Sequence, residues 1–146
     1  AAPRLDDQLC FQLYTGSRLV VRAYRPLLQE LGITYPQYLV LMVLWQSDDE
    51  DTGAETVSAL GSRLHLDSGT LTPLLKRLEA LGFVTRNRTS SDERVVHIGL
   101  TDCGRELAKK AGPMRAKLMC DYAGDRAGLG TLREALRALN GALLTG

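Results

Sequence analysis

Cys10, Cys103 and Cys120 are the side chains with redox chemistry in this 146-residue chain. A cysteine reacts as its thiolate, so the surroundings of each sulfur decide what it can do. Cys10 falls in or next to the first turn of a predicted helix, where unpaired backbone N–H groups favour the charged form, while the nearby Asp6 and Asp7 oppose it. Three cysteines are an odd and sparse set, which argues against a structural disulfide framework. A zinc site is not expected either, because no Cys-x-x-Cys spacing occurs and His65 and His97 have no paired spacing with the cysteines. The sequence therefore calls for no metal and no cofactor.

A second chemistry lies between Thr56 and Gly104. Leu71, Leu74, Leu75, Leu78 and Leu81 form a one-sided helical stripe, and the other positions, Ser68, Thr70, Thr72, Lys76 and Arg77, are hydroxyls and cations without an acid. Such groups bond to phosphates and base edges. Asp67 or Ser68 can cap this helix and Gly82 can end it in a left-handed conformation. Pro73 belongs in a first turn, so the regular part is expected to begin near Thr70. Upstream, Val57, Leu60, Gly61 and Leu64 give a shorter helix, and the pair reads as helix-turn-helix.

Downstream, 83–88 and 95–100 are β-branched or aromatic runs around a polar tip, Thr89 to Arg94. Alternation puts Arg86 and Arg88 on one side of the first strand, with Arg94 at the tip. An arginine-bearing hairpin suits the narrow minor groove beside the major groove that the helix occupies.

The elements that position these groups are helical. Residues 5–31 read as one long helix, capped by Asp6 or Asp7 and stopped by Gly32, with a kink or break near Pro26. Cys10, Ser17 and Tyr24 are spaced by sevens and share a face, yet fourteen residues of helix separate Cys10 from Tyr24 by roughly 21 Å. If Tyr24 serves Cys10, it must then come from a second subunit. Residues 35–45 form a very apolar helix with Pro36 in its first turn, and 102–122 and 129–144 form two more. Leu107, Ala111, Met114, Leu118 and Ala135, Leu136, Leu139, Leu143 are stripes too extensive for one small chain to bury, which predicts a helical dimer interface. Tyr14, Tyr38 and Trp45 read as pocket wall or core, and Cys103 as structural.

The length fits one domain, and 45% hydrophobic residues can supply its core. Net charge is only +1, but its distribution is uneven. Residues 63–94 carry six Lys or Arg against four acids. Asp48, Asp49, Glu50, Asp51 and Glu55 form an acidic block, read as a solvated loop facing away from phosphate. No apolar leader precedes the first helix, and the longest apolar run, 38–45, is too short to span a bilayer. A cytoplasmic protein with no membrane contact is expected.

Leu78-Glu-Ala-Leu-Gly-Phe-Val-Thr-Arg86, Asp92-Glu-Arg94 and Leu100-Thr-Asp-Cys-Gly104 together resemble the winged-helix signature of the MarR family of transcription regulators. Gln8-Leu-Cys10-Phe11, Tyr24-Arg-Pro-Leu-Leu28 and Leu31-Gly-Ile-Thr-Tyr35-Pro-Gln-Tyr38 are similar to its organic-hydroperoxide-responsive branch, OhrR. The resemblance covers most of the chain, from about Leu5 to Gly104. It implies a mainly α fold with a small β-wing, a winged helix-turn-helix lobe over 35–102 and dimerisation helices over 5–34 and 103–146. It further implies a homodimeric repressor of double-stranded operator DNA, with an organic hydroperoxide as oxidant of Cys10, the redox sensor. Tyr24 and Tyr35 would hydrogen-bond the sulfur across the dimer, and Cys120 would be the resolving thiol of a two-cysteine member. A regulator rather than an enzyme is expected. The alternatives are a MarR-type repressor answering a reversibly bound phenolic ligand, and a thiol peroxidase.

Overall fold

The computed structural model describes residues 1–89, 92–122 and 126–146. A 3-10 turn, Leu5–Asp7, precedes α1 (Leu9–Ala23), α2 (Arg25–Leu31), α3 (Tyr35–Asp49), β1 (Glu55–Thr56), α4 (Val57–Leu64) and α5 (Ser68–Ala80). β2 (Val84–Thr89), β3 (Asp92–Leu100), α6 (Asp102–Tyr122) and α7 (Arg126–Thr145) complete the order. The chain divides into two compact units, Ala1–Pro113 and Met114–Gly146. Among the described residues no single helix is long and apolar enough to cross a membrane.

The predicted winged helix-turn-helix is present. In the first unit Leu71, Leu75 and Leu78 of α5 are fully buried, together with Leu60, Val40, Leu41 and Ile98. Each buried leucine contributes roughly 1.5–3 kcal/mol, so α5 is held by its apolar side and leaves its polar side free. Leu81 is 40% exposed because it caps the helix and lies beyond the stripe's last buried turn. The end is a left-handed stop: Gly82 has φ +81°, its N–H donates to the Glu79 carbonyl, and the Phe83 N–H donates to the Leu78 carbonyl.

The break expected near Pro26 is present: the N-terminal segment is two helices, because Pro26 lacks an N–H and crowds the preceding turn, and the ladder restarts at Tyr24, whose carbonyl accepts from Leu28. Other boundaries differ from expectation. Asp6 and Asp7 lie in the 3-10 turn and do not cap α1; Gln8 does, without a side-chain bond. α3 runs on to Asp49, so Asp48 and Asp49 are helical and Glu55 sits in β1, not in a loop. Asp48 accepts both of its bonds from the Arg105 Nε at 3.1 Å, and Glu55 accepts the Ser47 hydroxyl at 2.6 Å.

α5 starts at Ser68 rather than near Thr70, despite Pro73 inside it. The Asp67 carboxylate accepts the Thr70 N–H at 2.7 Å and fixes the start. The carbonyl that Pro73 leaves without its helical donor belongs to Gly69, which is exposed to water. Between α4 and α5 the chain turns at His65 in a left-handed conformation (φ 55°), and a side chain at Gly61 would meet the Leu66 carbonyl at 2.8 Å. Glycine is required for that turn.

The sheet order is β1-β3-β2, all antiparallel, with Val84 opposite Leu100, Arg86 opposite Ile98 and Arg88 opposite Val96. β3 begins at Asp92, earlier than expected, and Ser90 and Ser91 of the polar tip lie outside the described residues. β1, pairing Glu55 with Ile98, was not expected. The fold predicts one sharp intolerance: a Cβ at Gly104 would collide with the Phe83 carbonyl. Gly104→Ala should lower the urea-unfolding free energy by about 3 kcal/mol, as overpacking of a closed site does.

Candidate nucleic-acid interface and redox site

α5 presents Ser68, Thr70, Lys76 and Arg77 as exposed side chains, with Thr72 half-buried. Asp67, at the head of this face, is held below the usual carboxylate range, first by the Thr70 N–H and then by the Thr70 hydroxyl; burial opposes the shift and the Gly69 N–H adds to it.

The three wing arginines differ in setting. Val84, Arg86 and Arg88 share one side of β2, and exposure rises along it from the buried Val84 to the exposed Arg88. Arg86 is only half-exposed: its backbone N–H donates to the Glu79 carboxylate at 3.2 Å and its guanidinium lies 4.0 Å from the same carboxylate. Arg86 thereby braces the wing against the end of α5. Arg94 is exposed, close to the tip.

Cys10 is the second residue of α1 and is exposed, as are Cys103 and Cys120. Tyr24 stands just past the other end of α1, and Tyr35 opens α3. Their rings meet edge to face with centroids 5.5 Å apart, and each packs on Tyr38, at 5.9 and 6.3 Å. Burial pushes the Tyr35 phenol above its ordinary range, and the neighbouring Tyr24 adds to the rise. A phenol that holds its proton remains a hydrogen-bond donor throughout neutral pH. The structure thus brings Tyr24 and Tyr35 together and leaves Cys10 at the far end of a rigid 15-residue helix. Tyr38 is core, but Tyr14 is 63% exposed, its ring carrying the Arg18 guanidinium at 5.0 Å, so it is neither pocket wall nor core.

A cavity of about 820 Å³ adjoins Tyr35 and is lined by Arg18, Arg22, Arg25 and Arg77, with no acid in its wall. The spacing of Arg18, Arg22 and Arg25 on one helical face was the available signal for it. The Glu79–Arg86 brace joins two different elements, and a hydrogen bond from the Trp45 indole to the Gly104 carbonyl at 2.8 Å spans 59 positions, so neither follows from a local pattern.

An exposed basic helix, its partner helix and a hairpin define a winged helix-turn-helix DNA-binding regulator. Comparison with known proteins narrows this. The family described as "Transcriptional regulator SarA/Rot" matches residues 22–111. The organic hydroperoxide resistance transcriptional regulator of Bacillus subtilis (strain 168) is 51% identical over 108 residues, which cover 74% of this chain and 70% of that protein. The HTH-type transcriptional regulator TtmR of Methylorubrum extorquens (strain PA1) is 57% identical over 106 residues, 73% of this chain but only about half (52%) of TtmR. Among solved structures, reduced AbfR bound to DNA superposes with a TM-score of 0.82 at 37% identity, over 97% of this chain and 95% of that one. AbfR is a protein of Staphylococcus epidermidis, and its disulfide-formed structure gives 0.65 over 97% and 91% of the two chains. The chain belongs to the MarR family of transcription regulators, in the organic hydroperoxide resistance group.

The raised Tyr35 pKa carries a signed expectation. Burial penalises the phenolate, so folded-state stability is complete below the ordinary phenol range and declines as pH rises from there towards the folded value. In a phenolate absorbance titration, Tyr35→Phe should remove a component lying above that range and flatten the alkaline loss of stability.

Proposed function

We propose that this regulator is a homodimeric repressor that senses organic hydroperoxides through Cys10 and then releases its operator. The observation that carries this is the Tyr24–Tyr35 pair: two packed phenols, one with its proton held by burial, at the end of α1 that Cys10 does not occupy. In an antiparallel dimer the pair of one subunit meets the Cys10 of the other. Exposed Leu9, Leu13, Leu19 and Val20 on α1, and Leu132, Leu143 and Leu144 on α7, supply apolar surface for such a dimer, in keeping with dimerisation helices over 5–34 and 103–146 and a reading lobe over 35–102.

Phenol O–H groups donated to the sulfur favour its thiolate. The thiolate attacks the terminal oxygen of the hydroperoxide; the O–O bond breaks, the alcohol leaves with a proton, and the sulfur is oxidised to sulfenic acid. The Cys120 thiol of the partner subunit then attacks that sulfur, an S–S bond forms and water leaves. Bringing the two sulfurs into bonding distance shifts the helices that carry them, and the two reading heads lose their spacing. In the reduced dimer Ser68, Thr70, Thr72, Lys76 and Arg77 of each α5 enter major grooves ~10 bp apart or a multiple of that, with Arg88 and Arg94 on the flanking minor grooves and Arg86 holding the wing in place. The oxidant is consumed once per Cys10, which makes the protein a stoichiometric sensor and not a thiol peroxidase. It acts where the operator is, in the cytoplasm, without a membrane partner or cofactor.

The arginine-lined cavity beside Tyr35 favours a second reading, in which an anionic phenol binds reversibly and Cys10 plays no part. Adding cumene hydroperoxide and, separately, salicylate to the reduced operator complex distinguishes the two. On the first reading only the peroxide releases DNA, Cys10→Ser stays bound, and Cys120→Ser loses the covalent dimer on a non-reducing gel; release of Cys10→Ser by peroxide overturns it. For the interface, Arg94→Ala should weaken operator binding and lower the slope of log affinity against log salt by about 0.9 for each phosphate that is no longer neutralised. An unchanged slope removes Arg94 from the interface.

A further inference from the structure

We propose that Trp45 is a positioning residue that ties the sensor's tyrosine pair to the root of the wing, so that a disturbance at the phenols reaches the elements that read DNA. This rests on the reading of Cys10 as the redox sensor. Tyr35, Tyr38 and Trp45 stand at i, i+3 and i+10 along α3, which places them on one face. Their rings form a continuous file: Tyr24 on Tyr35 and Tyr38, Tyr35 on Tyr38, and Tyr38 on Trp45 at 6.0 Å, edge to face. Tyr38, the middle member, is 2% exposed, so it has no room to move without its neighbours.

At the far end of the file, the Trp45 indole N–H donates to the Gly104 carbonyl at 2.8 Å, across 59 positions of sequence. Gly104 is wedged against the Phe83 carbonyl and the Leu100 side chain, which leave no space for a Cβ. Its N–H donates to the Thr101 hydroxyl at 3.0 Å; that hydroxyl donates to the Gly82 carbonyl at 2.6 Å, and the Thr101 N–H to the Phe83 carbonyl at 3.1 Å. Gly82 and Phe83 join α5 to β2, and Thr101 follows Leu100, the last residue of β3. One indole hydrogen bond therefore reaches the stop of the reading helix, both strands of the wing and the start of α6. Packed joints of this kind shift between discrete arrangements rather than deform gradually. A phenylalanine at position 45 keeps an aromatic ring in the file but has no N–H to offer the Gly104 carbonyl.

The test separates oxidation from release. The dimer, wild type and Trp45→Phe, receives one equivalent of cumene hydroperoxide per Cys10. Cys10 oxidation is counted by mass spectrometry, operator binding is followed by anisotropy, and in the wild type the emission of Trp45, the chain's one tryptophan, is recorded throughout. The expected result is equal oxidation of both proteins, a Trp45 emission change that keeps pace with release, and in Trp45→Phe a loss of affinity on oxidation smaller by about tenfold than in wild type. Equal release by an oxidised Trp45→Phe, or wild-type release with constant Trp45 emission, overturns the proposal. Should Trp45→Phe fail to fold or bind, the wild-type emission decides alone. A wild-type protein that keeps its operator although Cys10 is oxidised, or whose Cys10 resists the peroxide, brings down the sensing reading, and this one with it, and is recognisable by that combination.

Discussion

A helix cannot bend back on itself, and α1 is a straight rod with a thiol at one end and a phenol beyond the other. Fourteen residues at about 1.5 Å each hold Cys10 and Tyr24 apart, and no rotamer of either side chain closes that gap. Tyr24 can therefore reach only the sulfur of another molecule. Oligomerisation and chemistry are thereby joined: in the reading advanced above, the surface that pairs two chains is the surface that completes a reactive centre, and a lone chain has half of each of two centres.

The DNA-reading half obeys a different constraint. α5 keeps its place through three fully buried leucines and its orientation through the Asp67 cap and the Gly82 stop. Lys76 and Arg77 on its polar side are exposed and take no part in the buried stripe, so they are available to a ligand. The wing is secured at its base, where Arg86 meets Glu79 and Val84 enters the core, and becomes progressively solvated towards Arg88 and Arg94. A base that is fixed and a tip that is charged suit a probe inserted into a groove.

Much of this was legible in the sequence because it is local. A leucine every third or fourth residue, an acid before a helix and a glycine after it each act within one or two turns, so α4, α5 and the hairpin could be placed from spacing alone. Pro26 and Pro73 show where local rules stop. The same residue type separates α1 from α2 and is absorbed within α5, whose start Asp67 fixes. β1, only two residues long, exists through its pairing with β3 and has no pattern of its own. The Tyr24–Tyr35 contact was implied only by resemblance, and the Trp45–Gly104 bond by nothing, since each joins separate elements. Tyr14 was misplaced for the opposite reason: aromatic character suggested burial, but the arginine one turn on covers its ring in solvent.

The turn between α4 and α5 has a consequence for how such a reader can diversify. With Gly61 lying against the Leu66 carbonyl and His65 in a left-handed conformation, the joint between the two helices admits no side chain at position 61. The angle of attack on DNA is a constant of the scaffold. New target preferences in descendants of this chain must then arise by exchanging the letters on the outer side of α5, much as a typewriter changes its typeface while the arm that swings it stays the same.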